Sequence, residues 1–544
     1  MTARRAAVGL AGAAGLIAAL TLVSRTVGFG RWFVFAGTVG STCTGTAYQV
    51  ANTVPNVLFE VVAGGALAAA VVPLLAGPLV HGDRAEADRT ASALLTWAVL
   101  VLVPLAVLLA ALSGPISRAL AGTACPGQAQ QVARMLVVFA PQVVLYGVGV
   151  VLIGVLQAHR RFVWPALAPL LSSLVVVVAY LGYGIIADGR QGSGWVPTRA
   201  TELLLSLGTT LGVAVLSLPL LGPVRRAGVR LRPTLRAAPG VARRARALAL
   251  AGLAGLLAQQ VVVVVTLVLA GRRSAAGTLN VYTYVQAVYL LPYAVLAVPL
   301  ATAAFPQLAE RAAAGDGPGF ASTLARSTRL VVLAGATGTA ALVAAAPAVG
   351  QVFSAVDASR QGGPGAAALG ALAVALTAFA PGLVGFALVA HLGRALFAAG
   401  RARWAATSTA AGWLTAAVLS VLLVGGRTEP RPTLVGLGVA SSIGMTVAGA
   451  ALLTGAARLR IGGRVPDGIL QGLPRALTAA MLLGGVGALV GRWVTTAVLD
   501  AGVLRAVAAG AGGALVAVLV LALGWTLAGG DDLRALVRRP RVAA

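Results

Sequence analysis

The chain has 544 residues, of which 59% are hydrophobic and only 10% charged, and its mean hydropathy is +0.92. Soluble domains carry about 25% charged residues, so this composition cannot cover a water-facing exterior; it argues against a soluble cofactor enzyme, a nucleic-acid binder and a disordered scaffold. The net charge of +27 comes from arginine alone, since no lysine occurs, and the arginines sit in short polar breaks between apolar runs, which is the positive-inside pattern.

A bilayer core takes about 20 apolar residues per helix. Cutting the chain at charges, Pro/Gly clusters and polar breaks predicts an all-α polytopic membrane protein of about fourteen segments, near 8–37, 46–78, 91–119, 131–157, 163–187, 200–222, 246–270, 277–309, 328–353, 366–398, 404–425, 432–456, 474–497 and 501–529. The first run extends past signal-peptide length without a small-residue cleavage site, and is read as a retained helix. With Arg4 and Arg5 inside, the connections after even-numbered segments are the Arg-rich ones: Arg84 and Arg89, Arg160 and Arg161, Arg401 and Arg403, and eight arginines within 223–246. Both termini are then cytoplasmic.

The sequence also repeats. A shift of 240 residues carries Pro141, Leu156, Ala158, Arg161 and Trp164 onto Pro381, Leu396, Ala398, Arg401 and Trp404. That offset spans an even number of segments, so both copies insert with the same orientation, one of the plans of secondary transporters. The expected organisation is an N-lobe of six helices (1–222), an Arg-rich cytoplasmic linker (223–246), a pseudo-symmetric six-helix C-lobe (247–457), and two further helices with a basic tail (458–544).

Segment 1 contains Ser24-Arg25-Thr26-Val27-Gly28-Phe29-Gly30-Arg31. A guanidinium at membrane depth costs about 2.5–3.5 kcal/mol on insertion scales, and two in one span point to a water-filled, anion-accepting cavity. On an ideal helix the pair stands about 120° apart; a break or bend at Gly28 and Gly30 brings both to one face. In the alternative, Arg31 snorkels to the outer interface and Arg25 pairs with Glu60. Segment 2 carries Asn52, Asn56 and Glu60 at four-residue spacing on one face, with Pro55 expected to kink it. The asparagines are either cavity wall or interhelical hydrogen-bond glue; Glu60 pairs with an arginine or carries a coupling proton. Arg394 in segment 10 either extends the cationic lining or snorkels beside Arg401. Arg272 and Arg273, ending segment 7 on the outer side, either receive an anionic group or interact with a helix C-terminus. Gln286 in segment 8 is a candidate cavity donor.

Cys43 and Cys125 both fall in outer connections, which leaves a disulfide in an oxidising exterior open. The three histidines, His81, His159 and His391, have no metal-ligand spacing, no phosphate loop, nucleophile elbow or HExxH motif occurs, and no cofactor is implied.

Ser24-Arg25…Gly28-Phe29…Arg31, Ala51-Asn52…Pro55-Asn56 and Gly64-Gly65-Ala66…Val72-Pro73 resemble the first two helices of the MurJ/MviN family. Leu156-Gln157-Ala158…Arg161-Phe162…Pro165-Ala166-Leu167-Ala168-Pro169 and Pro292…Pro306-Gln307-Leu308 resemble its helix 4–5 junction and helix 8. These are lipid II flippases of the multidrug/oligosaccharidyl-lipid/polysaccharide exporter superfamily. The resemblance implies a two-lobed bacterial inner-membrane protein whose cationic cavity passes the diphosphate head group of a polyprenyl-linked glycan while the tail stays in lipid. Arg25, Arg31 and Asn56 fall on family cavity positions. The family's acidic sodium-site residue has no counterpart in segments 7, 11 or 12, and the coupling ion stays undefined. Two rivals remain: an exporter of another lipid-linked glycan or amphipathic compound, and a transport-inactive scaffold for cell-wall synthesis proteins.

Overall fold

The computed structural model describes residues 2–61, 66–192, 197–236, 241–359, 363, 365–463, 465–499 and 502–527. The basic tail, with Arg534, Arg538, Arg539 and Arg541, and the Gly64-Gly65 pair lie outside the described residues. Eleven helices are long and apolar enough to cross a membrane, or twelve when a pair bent by 44° counts as one span. Each of the fourteen predicted segments coincides with one helix or with successive helices, so the structure is consistent with that count. The protein is a multi-pass membrane protein.

Its contacts divide the chain into two compact units, residues 1–256 with 356–366, and residues 257–355 with 367–544. The first unit contains α1 (Thr2–Thr38), α2 (Cys43–Phe59), α3 (Ala66–Val80), α4 (Arg84–Ala111), α5 (Ser113–Leu120), α6 (Gln128–Phe139), α7 (Pro141–Ala158), α8 (Val163–Ala187), α9 (Arg199–Ser217) and α10 (Leu221–Arg226). Then α11 (Val241–Thr266) carries the chain onward. The second unit holds α12 (Thr278–Pro292), α13 (Val298–Ala313), α14 (Gly317–Val356), α15 (Ala366–Leu369), α16 (Leu372–Phe379), α17 (Gly382–Ala398), α18 (Ala402–Val424), α19 (Pro430–Ala457), α20 (Leu473–Val498) and α21 (Val503–Leu527).

The 240-residue repeat is visible in backbone geometry. Helix α6 ends at Phe139 and α16 at Phe379, in each case one residue before Ala-Pro restarts the chain as α7 or α17. Proline suits that position, because its missing N–H is one a helix start leaves unpaired anyway. At the far end, the amide of Arg161 donates to Leu156 O and that of Arg401 to Leu396 O, both at 2.8 Å. The residue before each arginine is left-handed: Arg160 has φ 57° and Gly400 has φ 74°.

Within unit 2, helices meet through backbone. A Cβ on Gly385 of α17 would run into Met445 O of α19, and a Cβ on Gly412 of α18 or on Gly444 of α19 would stand only 2.6 Å from the other's carbonyl oxygen. The last pair does likewise at Gly491 and Gly513. Lipid tails are as apolar as leucine side chains, so close approach through small residues is what binds one helix to another.

The predicted linker is not a bare spacer. Beyond α10 the chain runs extended along α4, where the amides of Arg230, Arg232 and Thr234 donate to Asp88 Oδ2, Ser92 Oγ and Thr96 Oγ1 at 3.1, 3.0 and 3.1 Å. The match is geometric, since two residues of strand advance about 6.6 Å and four residues of helix about 6.0 Å. Val229 is buried and Leu231 packs on the unit 1 core, whereas Arg230 and Arg232 are exposed.

Two substitutions test these points. Gly385→Ala forces the α19 backbone to shift and should cost about 1–3 kcal/mol, read as a lower thermal midpoint in detergent. Arg160→Gly relieves a left-handed non-glycine residue and should raise stability by up to about 1 kcal/mol; an unchanged or lower midpoint counts against that strain.

Candidate functional site

In unit 1 the polar groups gather on α1, α2 and α7. Helix α1 runs unbroken through Gly28 and Gly30, so the expected break is absent: with no proline there and ordinary spacing around both glycines, nothing interrupts the hydrogen-bond ladder. Arg25 and Arg31 therefore keep their angular offset. Arg25 is exposed and Arg31 half-buried. The Arg31 guanidinium carbon lies 5.5 Å from the Trp32 ring centroid, and its buried Nε has no hydrogen-bond partner.

Helix α2 is capped by Thr42, whose hydroxyl accepts from the Gly45 amide at 3.1 Å and donates to Val39 O at 2.9 Å. The half-buried Asn52, Asn56 and Glu60 follow. Pro55 lies inside the helix and cannot donate to the preceding turn. The Asn56 side-chain Nδ2 reaches back one turn and donates to Asn52 O at 2.9 Å. The Asn52 Oδ1 is buried without a partner, as is Gln49 Nε2 one turn earlier. Glu60 and Arg31 both lie within electrostatic reach of Tyr146 on α7, yet neither Arg25 nor Arg31 forms an ion pair with Glu60. Among the described residues the one ion pair is Arg134 with Glu202, joined through both guanidinium edges at 2.8 and 2.7 Å.

Sequence reasoning missed that pair, although a lone arginine in segment 4 and a lone glutamate in segment 6 were its signal. It also missed the buried hydroxyl chain in which Tyr48 meets Tyr180 at 2.8 Å and Thr209 at 2.9 Å. Asp357, beyond the end of α14, is fully buried and accepts from the amides and hydroxyls of Ser41 and Ser359 at 2.8–3.1 Å. Cys43 and Cys125 are disulfide-bonded, with Cα atoms 5.9 Å apart, and this ties the start of α2 to the turn before α6.

In unit 2, Gln286 donates to the Tyr282 hydroxyl at 2.9 Å. Both line a cavity of about 330 Å³ walled also by Tyr289, Phe379, Phe386 and Trp413, with no charged side chain in its lining. The Tyr289 hydroxyl and Thr266 Oγ1 are buried there without hydrogen-bond partners. Arg394 donates to Ala390 O, one turn back on α17, at 2.5 Å, and is half-buried. The chain widens into a π-helical turn at Leu267–Arg273. From it Arg273 donates to Gly425 O, just past the end of α18, at 3.0 Å, while Arg272 is exposed. Among the described residues no group of three or more metal-binding side chains occurs.

A bundle of this length, with guanidinium and amide groups held in its membrane helices, defines a polytopic membrane protein of the kind that passes polar cargo. The family model described as lipid II flippase MurJ matches residues 35–504, and the chain belongs to that family. The match begins at Phe35, so Arg25 and Arg31 lie just ahead of it. The chain is 31% identical to a probable lipid II flippase MurJ of Synechocystis sp. over 237 residues, a stretch covering 43% of each protein. It is 27% identical to a lipid II flippase MurJ of Burkholderia cenocepacia over 389 residues, 70% of this chain and 72% of that one. A solved lipid II flippase MurJ in an inward closed conformation superposes with a TM-score of 0.71 at 16% identity, covering 96% of this chain and 100% of the other, which shows a shared fold.

The disulfide yields a prediction. Replacing Cys43 and Cys125 together by serine frees an 82-residue separation and should cost about 2–4 kcal/mol, measured as a drop in unfolding midpoint that reductant reproduces in the wild type and not in the variant.

Proposed function

We propose that this protein moves lipid II across a bacterial cytoplasmic membrane by alternating access. The observation that carries the reading is Arg31: a half-buried guanidinium on a membrane helix with no carboxylate partner among the described residues and a buried Nε left unsatisfied. A buried cation costs free energy until an anion or acceptor meets it, and a diphosphate supplies both charge and several oxygens. The relatives' names and the family supply the cargo.

In this reading Arg31 holds the diphosphate, Arg25, about 120° away around the unbroken helix, is a second contact met as the head group passes, and Asn52 and Asn56 of α2 are neutral polar groups for the glycan. Glu60 is the coupling group, since among the described residues it is the one carboxylate on that polar face and forms no ion pair. Residues 1–222 and 247–457 act as the two moving lobes, 223–246 as the linker and 458–544 as the accessory pair, with both termini cytoplasmic. Gln286 and Arg394 extend the lining from the second lobe. Arg272 and Arg273 are the outer anion contacts, with one Arg273 N–H already on Gly425 O. The coupling carboxylate is sought at Glu60 and not in the charge-free cavity around Gln286.

The test is complementation of a strain conditionally depleted of its lipid II flippase, at matched membrane levels. Wild type should restore growth. Arg31→Ala should fail, as loss of one charge-assisted contact of about 1.5–3 kcal/mol weakens head-group binding roughly 10- to 100-fold. Glu60→Gln should bind cargo and fail to turn over. Absence of rescue by well-expressed wild type removes lipid II as the cargo; rescue surviving loss of both Arg25 and Arg31 removes the binding mechanism.

A further inference from the structure

Unit 2 has a second polar recess, of about 520 Å³, between α13 and the start of α14, within the size range of small-molecule sites. The two helices are antiparallel across the tight turn at Ala314–Asp316, where Gly315 has φ 69°. Residues near the turn therefore mark one end of the recess, and residues farther along each helix mark the other. Near the turn stand Arg311 and Arg326, with Ser322 between them in sequence; deeper lie Leu300, Ala303 and Leu330. From Arg311 back to Leu300 the helix covers about 16 Å, so the wall changes from cationic to apolar over half a bilayer's thickness.

Among the described residues neither guanidinium has an anionic partner. Arg311 donates only to neutral acceptors, Gly319 O and, at 3.4 Å, Ser322 Oγ, and Arg326 is exposed. Among the described residues the single ion pair lies elsewhere, at Arg134 and Glu202. Two planar guanidinium groups beside hydroxyls form a recognition set for a phosphate oxygen cluster. The apolar wall that continues from them matches an acyl chain, and a free phosphate would leave that wall uncovered.

We propose that the α13–α14 recess binds an anionic phospholipid of the surrounding bilayer, its phosphodiester between Arg311 and Arg326 and an acyl chain along Leu300, Ala303 and Leu330. The recess lies within unit 2 and shares no residue with the polar face of unit 1, and the proposal holds whether or not lipid II is the cargo. Occupancy joins α13 to α14 and makes the protein's stability depend on the anionic lipid content of its membrane.

Native mass spectrometry of the full-length protein tests this, titrating phosphatidylglycerol against phosphatidylcholine of the same chains, with inorganic phosphate as competitor. Wild type should prefer phosphatidylglycerol, and Arg311→Gln with Arg326→Gln should reduce that preference about 10- to 30-fold. Arg225→Gln with Arg226→Gln removes the same charge from unit 1 and should leave the preference intact. Ala303→Trp keeps both charges but fills the apolar wall; it should weaken phosphatidylglycerol alone, and it keeps the proposal testable if the double arginine variant does not fold. Equal preference in wild type and double variant overturns the site, as does an equal loss in the unit 1 control. Full competition by inorganic phosphate, with no effect of Ala303→Trp, overturns the lipid in favour of a free-phosphate site.

Discussion

Hydrocarbon offers a backbone amide no water to bond with, so each peptide group must be satisfied within the protein. Helices solve that internally but leave their outer faces with nothing to gain from leaving lipid for each other. What holds them is the contact that only small residues permit, at Gly385 against Met445 O and at the paired glycines Gly412–Gly444 and Gly491–Gly513. The alanine- and glycine-rich composition is thus the binding chemistry of the bundle as well as its solvent match.

Against that apolar background the polar groups divide into two kinds. Arg134 with Glu202, Tyr48 with Tyr180 and Thr209, and Asp357 with Ser41 and Ser359 are closed sets in which donors meet acceptors. Arg31, Asn52 and Gln49, on α1 and α2, are among the groups that retain unmet valence. The cavity around Gln286 has unmet hydroxyls but no charge. At these two places the halves, though built on one repeated plan, offer different chemistry: a charged face on α1 and α2, and a neutral aromatic pocket around Gln286.

The architecture was legible because its signals are local or periodic. Apolar run length marked the spans, arginine placement marked their connections, and the coincidence of Pro141 with Pro381 and Arg161 with Arg401 marked the repeat. Pairings between distant helices were not legible. Nothing at Arg134 in sequence points to Glu202, and nothing in Val229–Thr234 announces that its amides fit the four-residue steps of α4. Gly28 and Gly30 misled for a different reason: glycine permits a break without requiring one, and a helix in lipid keeps its ladder unless proline or a competing group removes a bond. The candidate site was legible as a set of residues, while the separation of Arg25 from Arg31 and the absence of an Arg–Glu60 pair depended on the helix staying whole.

The left-handed position shared by Arg160 and Gly400 carries a consequence for how the halves diverged. Arginine fills it in one half and glycine in the other, so the turn does not depend on which side chain occupies it. The backbone takes the same shape with either, at a cost of about 1 kcal/mol for the arginine, because the amides of Arg161 and Arg401 anchor each turn to the preceding helix in the same way. Shape in this protein is inherited through the main chain, and the side chains on it are free to be rewritten.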